Sequence, residues 1–313
     1  MGEILMRAAC FILIIILGHV LRRIGFFKKD DFYVLSKTVL KITLPAAIIS
    51  NMNGMKIEPS LLGLCLLGFG GGVLYMTVLY LLNLRASREK RAFEVLNSTG
   101  YNIGTFTMPF VQSFLGPAGI AQGFLGPLGV VATSLFDSGN ALVCLGGSYS
   151  IASMIKGGGK GFSVKKIALT LLCSIPFDTY VLMLILNLLQ IRLPDAVTTF
   201  AGIVGNANPF LAMLMLGVGF QLSGSREQFG VMARILLIRY SIAVMLAVAF
   251  FWLLPLELEY RQALAFLVFS PISSAVPAFT AELGEDFGLS SALNSISALI
   301  SIFCIIMVLV LVM

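Results

Sequence analysis

Charge is what this chain has least of. Only 12% of its 313 residues are Asp, Glu, Lys or Arg, against about 25% in an ordinary globular domain, while 58% are hydrophobic and the mean hydropathy is +0.98. That balance excludes a soluble globular protein and indicates an integral membrane protein. The chain has one histidine, no HExxH, no paired aspartates at comparable membrane depth and no serine placed with a histidine. The constellations of an intramembrane enzyme are therefore missing, and no enzymatic activity is expected. The five cysteines, Cys10, Cys65, Cys144, Cys173 and Cys304, fall inside apolar segments without CxxC pairing. They support neither a disulfide framework nor a zinc site, imply no metal or other cofactor, and read as small core residues.

The net charge of +6 does not point to nucleic acid, because the basic residues sit in short loops between apolar runs, where they set orientation in the bilayer. The apolar run from Ala8 to Leu21 is followed by Arg22 and Arg23, the reverse of a cleavable signal peptide, and reads as a retained first span. Segments long enough to span lie at about 4–21, 34–52, 60–82, 91–115, 119–150, 167–190, 198–222, 231–254, 260–283 and 287–312. Pro45 and Pro209 fall inside the second and seventh, and Gly126-Pro127 interrupts the fifth. Sixteen Lys and Arg follow odd-numbered spans, and only Arg7, Lys56, Arg192 and Arg261 follow even-numbered ones or precede the first. The positive-inside rule then places both termini outside. Lys156-Gly157-Gly158-Gly159-Lys160-Gly161 reads as a flexible inside linker and not a phosphate loop, since Gly161 follows Lys160.

Two polar stretches interrupt this pattern: Asn97 to Pro109, which contains Asn102 and Thr105, and Ser270 to Pro277, which contains Ser273 and Ser274. Each lies in a segment of spanning length and closes with a proline that a continuous helix disfavours. Unpaired backbone groups in hydrocarbon cost several kcal/mol, so a broken helix is tolerated only against protein or a water-filled cavity. Pro109 and Pro277 would each begin a second half-helix, whose positive ends, facing each other, attract an anion. The plainer alternative is a pair of proline kinks with repaired hydrogen bonds.

Pro45 and Pro209 are 164 residues apart, and both Pro109–Pro277 and Gly116–Gly284 are 168 apart. One period with five spans per half means that the second copy enters the membrane from the opposite face. The expected organisation is an all-α membrane protein of ten transmembrane helices: a first five-helix repeat over 1–153, a linker over 154–164 and an inverted second repeat over 165–313. Gly63, Gly68, Gly70, Gly71 and Gly72 give the third span a surface for close helix packing.

These residues resemble the auxin efflux carrier family, which includes bacterial permeases annotated for malate or malonate. The resemblance rests on Asn102 seven residues before Pro109, on Pro277, on Leu135-Phe136-Asp137-Ser138-Gly139-Asn140 and on the ten-span layout, and it covers essentially the whole chain. Thr107 departs from it, because the family often has glycine there. The resemblance implies a fold like that of sodium/proton antiporters and bile-acid symporters, with crossed, broken fourth and ninth helices. Spans 1, 2, 6 and 7 would form a scaffold, usually dimeric, and spans 3–5 and 8–10 a transport domain that carries small carboxylate anions across the cell membrane by an elevator movement.

Asn102 is the first candidate ligand, since its amide donates to a carboxylate without bringing charge into the membrane. Thr105, Ser273 and Ser274 add hydroxyls, and Asn140 matches the family's Asp-x-x-Asn stretch. For each, the bland reading is a hydrogen bond that only holds helices together. Asp137 is the sole charge between Val130 and Leu145, and is either a proton carrier or the partner of an inside cation. Asp178 and His19 read as structural, the latter as a polar tip at the membrane edge. A channel or membrane sensor and a sodium-coupled symporter of the bile-acid type remain the other readings. Counterflow and uptake in sodium-free buffer separate them.

Overall fold

The computed structural model describes residues 2–28, 30–55, 59–115, 126–157, 169, 172, 174–220 and 226–312. The ordered elements among them are all helical: α1 (Gly2–Arg23), α2 (Asp31–Thr38), α3 (Leu44–Met52), α4 (Gly63–Leu82), α5 (Arg88–Ser98), α6 (Met108–Leu115), α7 (Gly126–Leu142), α8 (Ser148–Lys156), α9 (Ile175–Leu188), α10 (Asp195–Gly205), α11 (Asn208–Gly219), α12 (Arg226–Leu253), α13 (Leu258–Leu267), α14 (Val276–Glu282) and α15 (Phe287–Val312). Six helical stretches among the described residues are long and apolar enough to cross a membrane. They are Asp31–Met52, Gly63–Leu82, Leu128–Lys156, Asp195–Gly219, Gln228–Leu253 and Phe287–Leu311. Side chains such as Leu66, Met245, Trp252 and Phe303 are exposed outward, as expected where the surrounding solvent is hydrocarbon.

Three wide π-helical turns interrupt these rods, at Val39–Thr43, Ile103–Thr107 and Val143–Gly147. Such turns leave backbone groups out of the regular ladder and recur at functional sites. The first joins α2 to α3, so Lys37 and Lys41 lie within a helical stretch and not in a loop. The third divides α7 from α8; α7 begins at Gly126, so the interruption expected at Gly126-Pro127 falls at the edge of the described residues. The start of the fifth span, Gly116, Cys173, Lys56, and the linker beyond Gly157 fall outside the described residues.

Two groups of helices emerge from the contacts. In one, α1 packs along α11, α3 lies against α9 and α10, and α2 touches α11. In the other, α4 packs on α7, α5 on α8, α12 on α13, α14 on α15, and α5 meets α12 and α14. Close approach explains three of the five glycines of α4, Gly68, Gly71 and Gly72, whereas a Cβ on Gly63 or Gly70 would meet nothing within 4 Å. A Cβ on Gly68 would stand 2.0 Å from the Phe136 carbonyl oxygen, and one on Gly139 of α7 would stand 1.8 Å from that of Cys65. Backbones that near exclude any side chain, the close packing by which membrane helices associate. In the first group Thr43 Oγ1 donates to Asn208 Oδ1 at 2.9 Å, linking the segments that carry Pro45 and Pro209.

At one end of the second group, Ser87 caps α5 by accepting from Lys90 N at 3.3 Å. Glu89 in that first turn is held below the usual carboxylate range by its own backbone amide and by the Ser87 hydroxyl. Buried Glu94 accepts from Asn83 Nδ2 at 2.8 Å and from Arg234 Nη1 at 3.1 Å, fastening α5 to α12. Lys156 at the end of α8 pairs with Glu285 at 2.7 Å and donates to the Leu283 carbonyl at 2.8 Å. Of the cysteines, Cys144 is buried, Cys65 and Cys304 are half-buried, and Cys10 is exposed on the outward side of α1 and is no core residue.

Candidate functional site

The first break opens where α5 ends at Ser98. Thr99 is extended and Gly100 turns with φ +79, a left-handed conformation that costs a side-chain-bearing residue and suits glycine. Helix resumes at Ile103, six residues before Pro109, so the proline does not begin the second half. It sits inside it, where the wide turn ahead of it already lacks the regular hydrogen bonds that a proline would otherwise remove. The second break runs from Val268 to Ala275, and there Pro277 does stand in the first turn of α14.

The two breaks touch. Asn102 N donates to the Pro271 carbonyl at 2.9 Å, and Thr107 Oγ1 donates to Ser270 Oγ at 2.6 Å. Thr107 occupies the position where the family often has glycine, and its hydroxyl forms this link between the breaks. Asn294 Nδ2 holds the carbonyls of Ile272 and Ser273 at 2.9 and 3.0 Å, and Ser297 Oγ accepts from Ile272 N at 3.1 Å. Side chains of α15 therefore satisfy the second loop's backbone, as a break at membrane depth requires.

A cavity of about 230 Å³ lies beside this junction. Its wall includes Asn102, Thr105, Asp137, Asn140, Ser273 and Ser274, together with Tyr180, Cys144 and Lys41. All three wide turns contribute to it, through Leu40 and Lys41, through Ile103 to Thr105, and through Cys144 and Leu145. Every candidate ligand from the sequence, four of them in the two polar stretches and Asn140 between, thus faces one space. Pro109 and Pro277 are not in that wall, although Pro277 lines a neighbouring cavity of about 300 Å³. Leu40, Ser274 and Ala275 line both cavities.

The candidate side chains differ in how occupied they are. Asn140 is fully engaged: its Oδ1 accepts from Tyr101 N at 3.0 Å, and its Nδ2 donates to Tyr101 O at 2.8 Å and to Asp137 Oδ1 at 2.9 Å. Asn102 is not. Its Oδ1 accepts from Thr105 Oγ1, but its Nδ2 is buried without a partner in a residue only 5% exposed. Thr105 Oγ1 is also 3.5 Å from Ser274 Oγ, across the gap between the breaks. Asp137, on α7, accepts from Asn140 and from Tyr180 OH at 3.2 Å; no cation bonds to it among the described residues, and both of these partners are neutral donors. Asp178 is exposed in the first turn of α9, and the half-buried His19 ring lies 5.6 Å from that of Phe220, edge to face.

Sequence reasoning missed Arg239. Sixteen and four cations account for twenty of the 21 Lys and Arg, and the remaining one lies mid-span in α12. It is 1% exposed, donates from Nη1 to the Ser98 carbonyl and from Nη2 to those of Gly100 and Ser270, both at 2.8 Å, and stacks 4.9 Å from the Tyr75 ring centre. Its position as the lone charge between Ile235 and Leu253 was the available signal. Tyr180 and Lys41 carried no comparable signal, because neither lies near the breaks in sequence.

Compared with known proteins, residues 4–157 match the family described as membrane transport protein. No curated protein matches the chain.

Proposed function

Because this multi-pass chain belongs to the auxin efflux carrier family of membrane transport proteins, and is a transporter and not an enzyme, we propose that it is a secondary carrier of small organic anions, with carboxylates as the substrate class. The reading rests above all on Asn102 Nδ2: a buried donor with no partner, facing a cavity at the meeting of two broken helices. A buried amide left unpaired costs about 1–3 kcal/mol, so an arriving carboxylate oxygen recovers that cost on binding. The hydroxyls of Thr105, Ser273 and Ser274 complete the contact, and Asn140 positions Tyr101 and Asp137 around it. Lys41, on the first of the wide turns, adds a positive charge at the same wall. The cavity is below the range of about 300–1,000 Å³ typical of drug-sized ligands. It suits a short organic acid better than a sterol-sized one.

In this reading the helices divide into a scaffold (α1–α3, α9–α11) and a moving body (α4–α8, α12–α15), related as inverted five-span repeats, with both termini outside. The anion travels with the moving body in an elevator step, Asp137 carries the coupling proton, and two scaffolds pair as a dimer. The test is counterflow into proteoliposomes with a panel of radiolabelled mono- and dicarboxylates. Unlabelled acid inside should accelerate entry of the labelled one, as a channel or sensor would not, and entry should persist in sodium-free buffer. No counterflow from any acid in the panel would remove the carboxylate reading, and a sodium requirement would favour the symporter of the bile-acid type.

A further inference from the structure

We infer that Arg239 is a positioning residue that clasps the two helix breaks together and so sets the width of the anion cavity between Asn102 and Ser274. A buried guanidinium without a counter-ion costs several kcal/mol. No carboxylate bonds to this one among the described residues. Its compensation comes instead from three carbonyls and two rings. Ser98 is the last residue of α5, and Ser270 follows the end of α13, whose Leu267 carbonyl it binds through its own N–H. Both lie at helix C-termini, where the aligned peptide dipoles are negative. Gly100 supplies the third carbonyl, from the left-handed turn itself. Tyr75 and Tyr101 lie 4.9 and 5.7 Å from the guanidinium carbon, within cation–π reach.

The geometry explains why these acceptors matter together. Nη2 bridges Gly100 and Ser270 at 2.8 Å each, so one nitrogen spans both breaks. Two residues on, Asn102 N meets the Pro271 carbonyl at 2.9 Å, a second rung between the breaks. Arg239 is absent from the cavity wall and works through the main chain of Tyr101 and Asn102. Its planar fork reaches several acceptors while lying flat on a ring, which a lysine ammonium cannot do. Removing it frees two loops whose relative placement fixes Thr105 Oγ1 at 3.5 Å from Ser274 Oγ.

The inference rests on the carrier reading for its importance to transport, but its test needs no substrate. In a chain with native cysteines replaced, Thr105→Cys with Ser274→Cys reports the spacing of the breaks through the rate of disulfide formation. Thr43→Cys with Asn208→Cys, at the 2.9 Å contact outside them, is the control. Arg239→Lys should slow the first cross-link about tenfold and Arg239→Gln further, with the control rate unchanged, since small displacements in a positioned pair carry effects of this size or larger. Equal rates in folded Arg239 variants and parent would overturn the proposal, as would equal slowing of both pairs, which would mark general loosening. Should neither variant fold, Tyr75→Leu, which removes one stacked face, must slow the first pair alone; an unchanged rate there overturns it equally. Normal cross-linking behaviour with no counterflow would count against the carrier reading and leave the clasp standing.

Discussion

Two amides in one cavity have opposite states, and their substitution should separate them. Asn102 has a free donor, so Asn102→Ala should weaken anion binding by about 10–100-fold, the equivalent of about 1.5–3 kcal/mol for a hydrogen bond to a charged group. Asn102→Asp should weaken it further by like-charge repulsion. Affinity from counterflow half-saturation checks both, with Thr199→Ala, exposed on α10, as an unaffected reference. Asn140 is bonded on every polar atom to Tyr101 and Asp137, so Asn140→Ala should reduce the yield of folded protein as well as binding. Asp137 faces Asn140 and Tyr180, with Lys41 and Cys144 in the same wall. Asp137→Asn keeps the shape and removes the titration, and uptake should lose its pH dependence between about pH 5.5 and 8. A retained dependence would take coupling away from this residue. Asn102 and Asp137 were legible as candidates because a polar group inside an apolar run is costly and stands out. Tyr180, Lys41 and the occupied state of Asn140 were not, since each depends on contacts between residues dozens of positions apart.

At the level of the helix, glycines and prolines divide the labour unevenly. Gly139→Ala places a methyl 1.8 Å from the Cys65 carbonyl and must push α4 from α7, whereas a Cβ on Gly70 meets nothing within 4 Å. Gly139→Ala should destabilise by about 1–3 kcal/mol or fail to fold, and Gly70→Ala should be neutral, as thermal unfolding in detergent will report. The prolines marked the two segments that are broken, but Gly100 turns the chain, and the three wide turns left no mark in composition. A π-helical turn is a local insertion into a ladder whose neighbours impose it, and no residue type reserves it. Pro109 drew attention to the right segment for a reason six residues away from where the helix restarts.

On the scale of the whole molecule, the proposed movement predicts which contacts must break. Leu44 of α3 meets Gly104 across the boundary between the two groups of helices, an added Cβ on Gly104 standing 2.7 Å from Leu44 Cδ2. Leu44→Cys with Gly104→Cys should therefore halt counterflow on oxidation and restore it on reduction. Cross-linking Thr43→Cys to Asn208→Cys, both inside the scaffold, should leave it running. Equal sensitivity of the two pairs would argue against a body that slides past a fixed frame. The membrane class and the approximate positions of the six long apolar helices were legible because both follow from one-dimensional hydropathy. The grouping of helices came only from the family resemblance, since from the residues alone it depends on which small-residue faces meet.

The rung between Asn102 N and the Pro271 carbonyl belongs to the peptide chain alone. Among the genetically encoded residues, only proline at 102 would delete it, so a mutational scan of this junction will report on everything except its most direct tie. Replacing that amide by an ester through chemical synthesis is the way to hear from it.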